Sequence, residues 1–368
     1  MIARKSIKIS FFITLLALPF FGIVTAQEHQ KEAPKEEKEF DVTKMILHHV
    51  GDSHSFHILN WKGHDVSFSL PIILWTKNGL VTFSSGKFHH DDDGTEVVKI
   101  KEQEFIKFHE KIYYASNSAN EHGAFVSLDA ADHPTNVRPL DFSITKNVFS
   151  MFLSLLVLTL LFVAMARSYK KSEENVPKGI AKFLEPIVVF IRDEVAIPNI
   201  GEKKYVKYMP FLLTLFFFIW VNNIFGLIPF FPFSANLSGN IAFTLSLAVI
   251  TFVITLFSSK KNYWKHMLWM PGVPVYMKLF LAPIELIGMF IKPIALMIRL
   301  FANITAGHVI VLSLISLIFI MGTVWVSPAS VLFTVFITVI EVLVVAIQAY
   351  IFTMLSALYF GQALEEEH

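Results

Sequence analysis

The sequence predicts an all-α membrane domain of five transmembrane helices and one amphipathic surface helix, preceded by a small β-containing domain on the outer side. Three observations carry this. From about residue 146 onward the apolar residues gather into runs of about 20 or more, enough for a helix to cross roughly 30 Å of hydrocarbon. Lysines and arginines cluster at alternate ends of those runs, the asymmetry that orients a membrane protein. Ahead of the runs, apolar and polar residues alternate singly, with the period of a half-buried strand. Composition agrees: 54% of the 368 residues are hydrophobic, 37 are phenylalanine, and only 17% are charged, against about 25% in soluble domains.

The net charge of +1 gives no electrostatic case for a nucleic-acid partner, whereas membrane lipid is an obligatory one. There is no cysteine, which excludes disulfides, thiol catalysis and thiolate metal sites.

Residues 1–26 read as a secretory signal. Arg4, Lys5 and Lys8 are basic, Phe11 to Val24 are apolar, and Val24-Thr25-Ala26 offers a cleavage site. The other reading is an uncut first transmembrane helix. Residues 27–143 form the outer extension, beginning with a charged linker, Gln27 to Glu39. Strands are expected at Ser55 to Leu59 and Asp65 to Leu70, and Asn78-Gly79 is expected as a two-residue hairpin loop between Ile72–Trp75 and Leu80–Phe83. The region is rich in histidine (His48, His49, His54, His57, His64, His89, His90), with Asp91, Asp92 and Asp93 following the last pair. Imidazole and carboxylate both bind metals, but the spacing matches no defined site, and a solvated polar loop is the plainer reading.

The membrane domain is expected over residues 146–364. Its first span, about Val148 to Ala166, is closed by Arg167, Lys170 and Lys171, which puts that end in the cytoplasm. Gly179 to Ile197 keeps helical apolar spacing but carries five charges, so it should lie on the inner surface. A hairpin of spans follows, about Tyr208 to Pro229 and Asn240 to Phe257. Two very long stretches end the chain, about Val275 to Met321 and Ala329 to Gln362. Each exceeds the membrane thickness and so must tilt or begin outside it.

Polar residues inside these last stretches are expensive, roughly 2.5 to 3.5 kcal/mol per charge at the bilayer centre, and are functional candidates by default. Steps of seven put Glu285, Lys292 and Arg299 on one stripe, and Asn303 extends it toward His308. Thr334, Thr338, Glu341 and Gln348 form a second stripe. Two such stripes suggest a hydrated path. Plainer roles compete: Lys292 snorkelling to the interface, the threonines packing helices, and Glu341 pairing with His308 or Arg299 only to hold two helices together. Arg299 cannot lose its proton and has no acidic neighbour within a turn, so its counter-charge is expected from another helix or subunit.

Three motifs resemble one family. Arg299-Leu300-Phe301-Ala302-Asn303-Ile304-Thr305-Ala306-Gly307-His308 is similar to the signature of the a subunit of F-type ATP synthase. Glu341 followed by Gln348-Ala349-Tyr350-Ile351-Phe352 resembles that family's last helix, and Asn223-Ile224-Phe225-Gly226-Leu227-Ile228-Pro229 its Asn-x-x-Gly-Leu-x-Pro motif. The long amino-terminal extension resembles members of the Bacteroidetes type. The resemblance covers residues 146 to 364 and implies a proton-translocating stator subunit with no catalytic residues, no metal and no cofactor of its own. It implies as partners a c-subunit ring, the b-subunit peripheral stalk and the rest of the ATP synthase. It implies a place in the cell inner membrane, with the amino-terminal domain periplasmic and the carboxyl terminus cytoplasmic. Arg299 would face the ring carboxylates. Glu341, His308, Asn303 and Gln348 would shape the outer half-channel, and Glu285 the inner one. Many bacterial members carry the acid after Ala-Gly and the histidine on the last helix; here the two are exchanged, as in mitochondrial members. The alternatives are an independent ion channel or secondary transporter, for which the spans show no internal repeat, and a receptor anchored by its helices, which leaves Arg299 and Glu341 unexplained.

Overall fold

The computed structural model describes residues 51–61, 64–120, 123–129, 133–171, 179–228, 231–269, 272, 274–321 and 324–364. The expected signal at 1–26, the linker, His48 and His49 lie outside them.

The β region starts with a hairpin, β1 (Ser55–Trp61) and β2 (His64–Ser69), paired antiparallel. β3 (Pro71–Thr76) and β4 (Gly79–Ser84) form the next hairpin. The expected turn is shifted by one residue. Thr76 pairs with Gly79, so Lys77 and Asn78 are the loop, and Gly79 opens β4 with φ +95°. The glycine is needed there because only it takes that conformation without strain, as the residue after the turn proper. A three-residue strand, β5 (Val98–Ile100), pairs with β6 (Gln103–Phe108), which pairs with β7 (Lys111–Tyr114). The short β8 (Leu140–Asp141) joins the free edge of β3. Alternation along β3 and β4 turns Ile72, Leu74, Val81 and Phe83 inward, against Phe88, Val98, Phe105 and Ile112. The opposite face of β6 and β7 buries Ile106, Phe108 and Tyr113 beneath Ala124 and Val126. Since β6 is covered on both faces, Lys107 is buried too, with its Nζ 3.4 Å from Glu110 and 3.6 Å from Asp92.

Helix α1 (Lys146–Lys171) leaves this region directly, and its amide at Asn147 is accepted by the Asp52 carboxylate at 3.2 Å, an anion at the positive end of a helix. Helix α2 (Ile180–Phe190) runs on through a π-helical stretch, Ile191–Ala196, and a last α turn, Ile197–Ile200. Ala181, Leu184, Ile191, Val195, Ala196 and Ile200 are buried along it, while Arg192 and Asp193 pair on the exposed side. The expected amphipathic helix is therefore present and packs against the spans α1, α3 and α7.

Helices α3 (Tyr205–Leu227) and α4 (Ile241–Ser258) follow, joined by a loop with a 3-10 turn at Leu237–Gly239. A short helix not anticipated from the sequence, α5 (Lys261–Leu268), precedes the two long ones, α6 (Val275–Met321) and α7 (Ser327–Leu364). Among the described residues, five helices, α1, α3, α4, α6 and α7, are long and apolar enough to cross a membrane. Their common core runs from Leu212, Phe216 and Ile219 of α3 to Leu296, Leu300 and Ile304 of α6 and Val345, Ala349, Phe352 and Phe360 of α7. Much of the remaining apolar surface, including Phe152, Ile294, Phe336 and Leu343, is exposed, as a lipid-facing surface requires.

Candidate functional site

Helices α6 and α7 lie side by side, and their two polar stripes face different ways. On α7, Thr334, Glu341 and Gln348 are buried; on α6, Glu285, Arg299 and Asn303 are exposed and Lys292 is half-buried. The stripes do not meet along one seam.

Among the described residues, His308 is where a side chain of α6 reaches the α7 stripe. Its Nδ1 lies 2.9 Å from Glu341 Oε1 and its Nε2 lies 3.2 Å from the Gly226 carbonyl oxygen at the end of α3. A carbonyl only accepts, so Nε2 must carry a hydrogen and donate it. The proton between Nδ1 and Oε1 then has two homes. It sits on Nδ1, giving imidazolium and carboxylate, or on Oε1, giving neutral imidazole and carboxylic acid. Either way the pair holds one exchangeable proton and is neutral overall. Neutrality suits a pair whose carboxylate is 6% exposed within an apolar helix.

Gly307 makes the contact possible. A Cβ there would stand 2.6 Å from Glu341 Oε1 and 2.9 Å from its Cδ, so any side chain would drive the carboxylate off the histidine. The glycine precedes His308 because the acid of the neighbouring helix occupies its side-chain space.

Around the loop between α3 and α4 and the helix ends beside it, several buried polar atoms have no protein partner among the described residues. They include both amide atoms of Asn223, one each of Asn222 and Asn236, and the hydroxyls of Ser238, Thr305 and Thr334. Groups of this kind are normally satisfied by water. Asn223 and Thr334 stand out in the sequence by motif and by stripe, whereas Asn222, Asn236, Ser238 and Thr305 do not, since a single polar residue in a loop or at a helix end carries no periodic signal.

Nearer the other ends of α6 and α7 a narrow cleft is walled by apolar residues such as Phe252, Met289 and Leu296, and its polar lining is Thr251 and Thr255 of α4, Tyr263 of α5, Lys292, and Tyr359 and Gln362 of α7. Lys292 Nζ donates to Gln362 Oε1 at 2.9 Å and lies 5.5 Å from the centre of the Tyr359 ring. Burial, and after it the charge of Glu285, pushes the Tyr263 phenol above its ordinary pKa, which places Glu285 beside this cleft. The Thr residues were missed although Thr244, Ala248, Thr251 and Thr255 make a small, buried stripe on α4.

Arg299 stands between the two polar regions. By helix rise it is about 13.5 Å from His308 and about 21 Å from Glu285. Its side chain is exposed, Tyr359 is within electrostatic reach, and no carboxylate among the described residues pairs with it. Among the described residues there is also no cluster of histidine and acidic side chains able to hold a metal ion.

Two family models match. Residues 148–361 match the ATP synthase A chain, and residues 45–142 match a Domain of unknown function (DUF8433). An ATP synthase subunit a of Chloroherpeton thalassium is 44% identical over 233 residues, 62% of this chain and 68% of the relative. A subunit a 2 of Chlorobaculum tepidum is 46% identical over 234 residues, and a subunit a of Chlorobium phaeobacteroides (strain BS1) is 47% identical over 228. These cover 62% and 60% of this chain and 65% and 66% of the relatives. The chain thus spans about two thirds of their length. With the first matched model covering more than half of the chain, and Arg299, the His308–Glu341 pair and Gly226 all inside it, the chain belongs to the ATP synthase A chain family, the non-catalytic stator subunit of a proton-translocating membrane sector.

Proposed function

We propose that this subunit loads and unloads protons on a c-subunit ring through two separate half-channels, with Arg299 as the barrier between them. The observation that carries this reading is the arrangement just described: the 2.9 Å contact of His308 with Glu341, a second cleft that Lys292 and Tyr359 line, and between them an exposed guanidinium with no carboxylate partner among the described residues.

In the outer half-channel, water reaches the His308–Glu341 pair past Asn223 and Asn236. A proton arriving at the pair displaces the one already shared, which passes toward the ring. Asn303 and Gln348, one turn or two from the pair, shape this path. Arg299 attracts a ring carboxylate and favours its ionised form, so each ring site must surrender its proton before passing. The released proton leaves along Lys292, Tyr263 and Glu285. Because Arg299 keeps its own proton at all accessible pH, it cannot relay one, and the two paths stay separate.

Five spans are proposed, with the β region periplasmic. Arg167, Lys170 and Lys171, then Lys203, Lys204 and Lys207, then Lys260, Lys261 and Lys265 all fall at the same side of the bundle, and that side is cytoplasmic by the positive-inside rule. The carboxyl end of α7 emerges there as well.

Replacing Arg299 with alanine in membranes that hold the whole complex should abolish coupled proton pumping and ATP synthesis while assembly persists. Normal ATP-driven acidification in that variant would refute the assignment.

A further inference from the structure

We propose that hairpin β1–β2 positions the proton relay, by holding the loop between α3 and α4 in an aromatic clamp; this rests on the relay reading of His308 and Glu341. Phe56 is 1% exposed. Its ring meets Phe231 edge-on at 5.4 Å and Phe149 at 5.5 Å. Phe68 lies 5.1 Å from Phe231 and 6.4 Å from Phe149, and Phe149 stacks on Phe231 at 6.3 Å. Four rings from three parts of the chain, the hairpin, the first turn of α1 and the outer loop, form one apolar joint. Aromatic pairs in such arrangements contribute about 0.5 to 1.5 kcal/mol each beyond the area they bury.

The joint leads directly to the relay. Two residues past Phe231, the ring of Phe233 rests 4.7 Å from Phe225. The Ala235 carbonyl oxygen then lies 3.2 Å from the place a Cβ on Gly226 would take, with Asn236 Cα also in contact range. Asn236 folds the loop back by accepting the Gly239 amide at 2.9 Å. Gly226 supplies the carbonyl that fixes the His308 ring, and Glu341 is the charged side chain facing that ring among the described residues. The loop carries no charge, so ion pairs of its own cannot anchor it. The ring contacts of Phe56 and Phe68 among the described residues are with Phe149 and Phe231; they are positioning residues, acting through Phe231 and Gly226. On this account the amino-terminal domain sets the geometry of proton uptake.

The test is the double variant F56A/F68A in the whole complex, reconstituted in proteoliposomes. Proton flux should fall roughly threefold to tenfold, the range for substitutions acting on a site through intervening contacts. The dependence of flux on outer pH should move, while the dependence on inner pH stays in place. F56L, which keeps an apolar side chain in the joint, should recover most of the flux. F88L, which loosens the domain core without touching Phe231, should keep the wild-type outer-pH profile. An assembled F56A/F68A complex with a wild-type profile, or an equal shift in F88L, would overturn the proposal. Should the alanine variant not assemble, F68C/F231C provides a second test, since the chain has no other cysteine. Full flux with that pair crosslinked supports a fixed clamp. Flux lost on crosslinking and regained on reduction rules it out, because the joint must then open. E341Q measured alongside keeps the two readings apart: a wild-type outer-pH profile there removes the relay, whereas the phenylalanine variants report on the clamp.

Discussion

Among the described residues, buried His54 and half-buried His308 both lie beside carboxylates, and they are held in opposite ways. His54, in the β region, has a carboxylate on each side: Nδ1 is 3.6 Å from Glu110 and Nε2 is 3.6 Å from Asp141. Burial opposes its charge, but the pairing with Asp141 and Glu110 outweighs burial and lifts its pKa to about 9. In return Glu110, although buried, is held down to about 2 by His54 and Lys107. His308 has one carboxylate, at 2.9 Å, and a carbonyl on its other nitrogen. Two carboxylates fix a histidine in its charged form; one carboxylate and one carbonyl leave a single proton free to move. The first arrangement makes a structural rivet; the second suits the relay proposed above. The difference lies in what faces the second nitrogen.

The comparison can be broken at either end. The largest effect is expected at the rivet, where removing the imidazole takes the cation from between half-buried Glu110 and Asp141 at the exposed strand β8. His54→Ala should destabilise the β region by about 1 to 3 kcal/mol, less than for a fully buried pair because Asp141 is partly solvated and Glu110 keeps Lys107, read as lost hydrogen-exchange protection in β3, β6 and β8 with α6 and α7 unaffected. The pH dependence follows from the same shifts. A histidine pKa raised in the fold stabilises fully below the ordinary value of about 6.5, and that contribution is lost as pH rises through about 9. The depressed Glu110 works at the acid end: its contribution holds above the ordinary carboxylate range and is lost as pH falls toward 2. Protection that peaked outside this window would contradict the double pairing. At the relay the readout is transport. Glu341→Gln should slow proton flux by about two orders of magnitude, the scale of a lost acid–base group, without uncoupling it; unchanged flux would make Glu341 a packing residue. Gly307→Ala should be milder, roughly tenfold, since the carboxylate is displaced and not removed. A larger loss than in E341Q would mean that Gly307 serves the ring contact as well.

How much of this could be read from the chain depends on the range over which a signal acts. The long helices were legible because hydropathy accumulates residue by residue; Val275–Met321 matches its expectation at both ends. The exchange of acid and base between positions 308 and 341 was legible as a pattern, and the structure brings the two side chains together. The hairpin at residues 71–84 was legible but displaced by one residue, because Asn-Gly marks a turn without fixing which residues are its corners. His54 was not legible. It stood among many histidines taken together as a solvated loop, and its partners lie 56 and 87 residues away in sequence. Only tertiary pairing distinguishes it from exposed neighbours such as His89 and His90. The unpartnered amides near the outer loop were hidden for the same reason.

The exposure of Arg299 bears on the life of the subunit before it meets its partners. Alone in a bilayer, the chain presents a permanent cation to hydrocarbon without an internal carboxylate among the described residues, at a cost of roughly 2.5 to 3.5 kcal/mol or more. Docking against a surface that carries carboxylates would remove this penalty, so on the proposed function the residue that separates the two proton paths would also make solitary residence in the membrane unfavourable. On that reading the guanidinium would act as an assembly checkpoint, with its charge recording whether the rotor is in place.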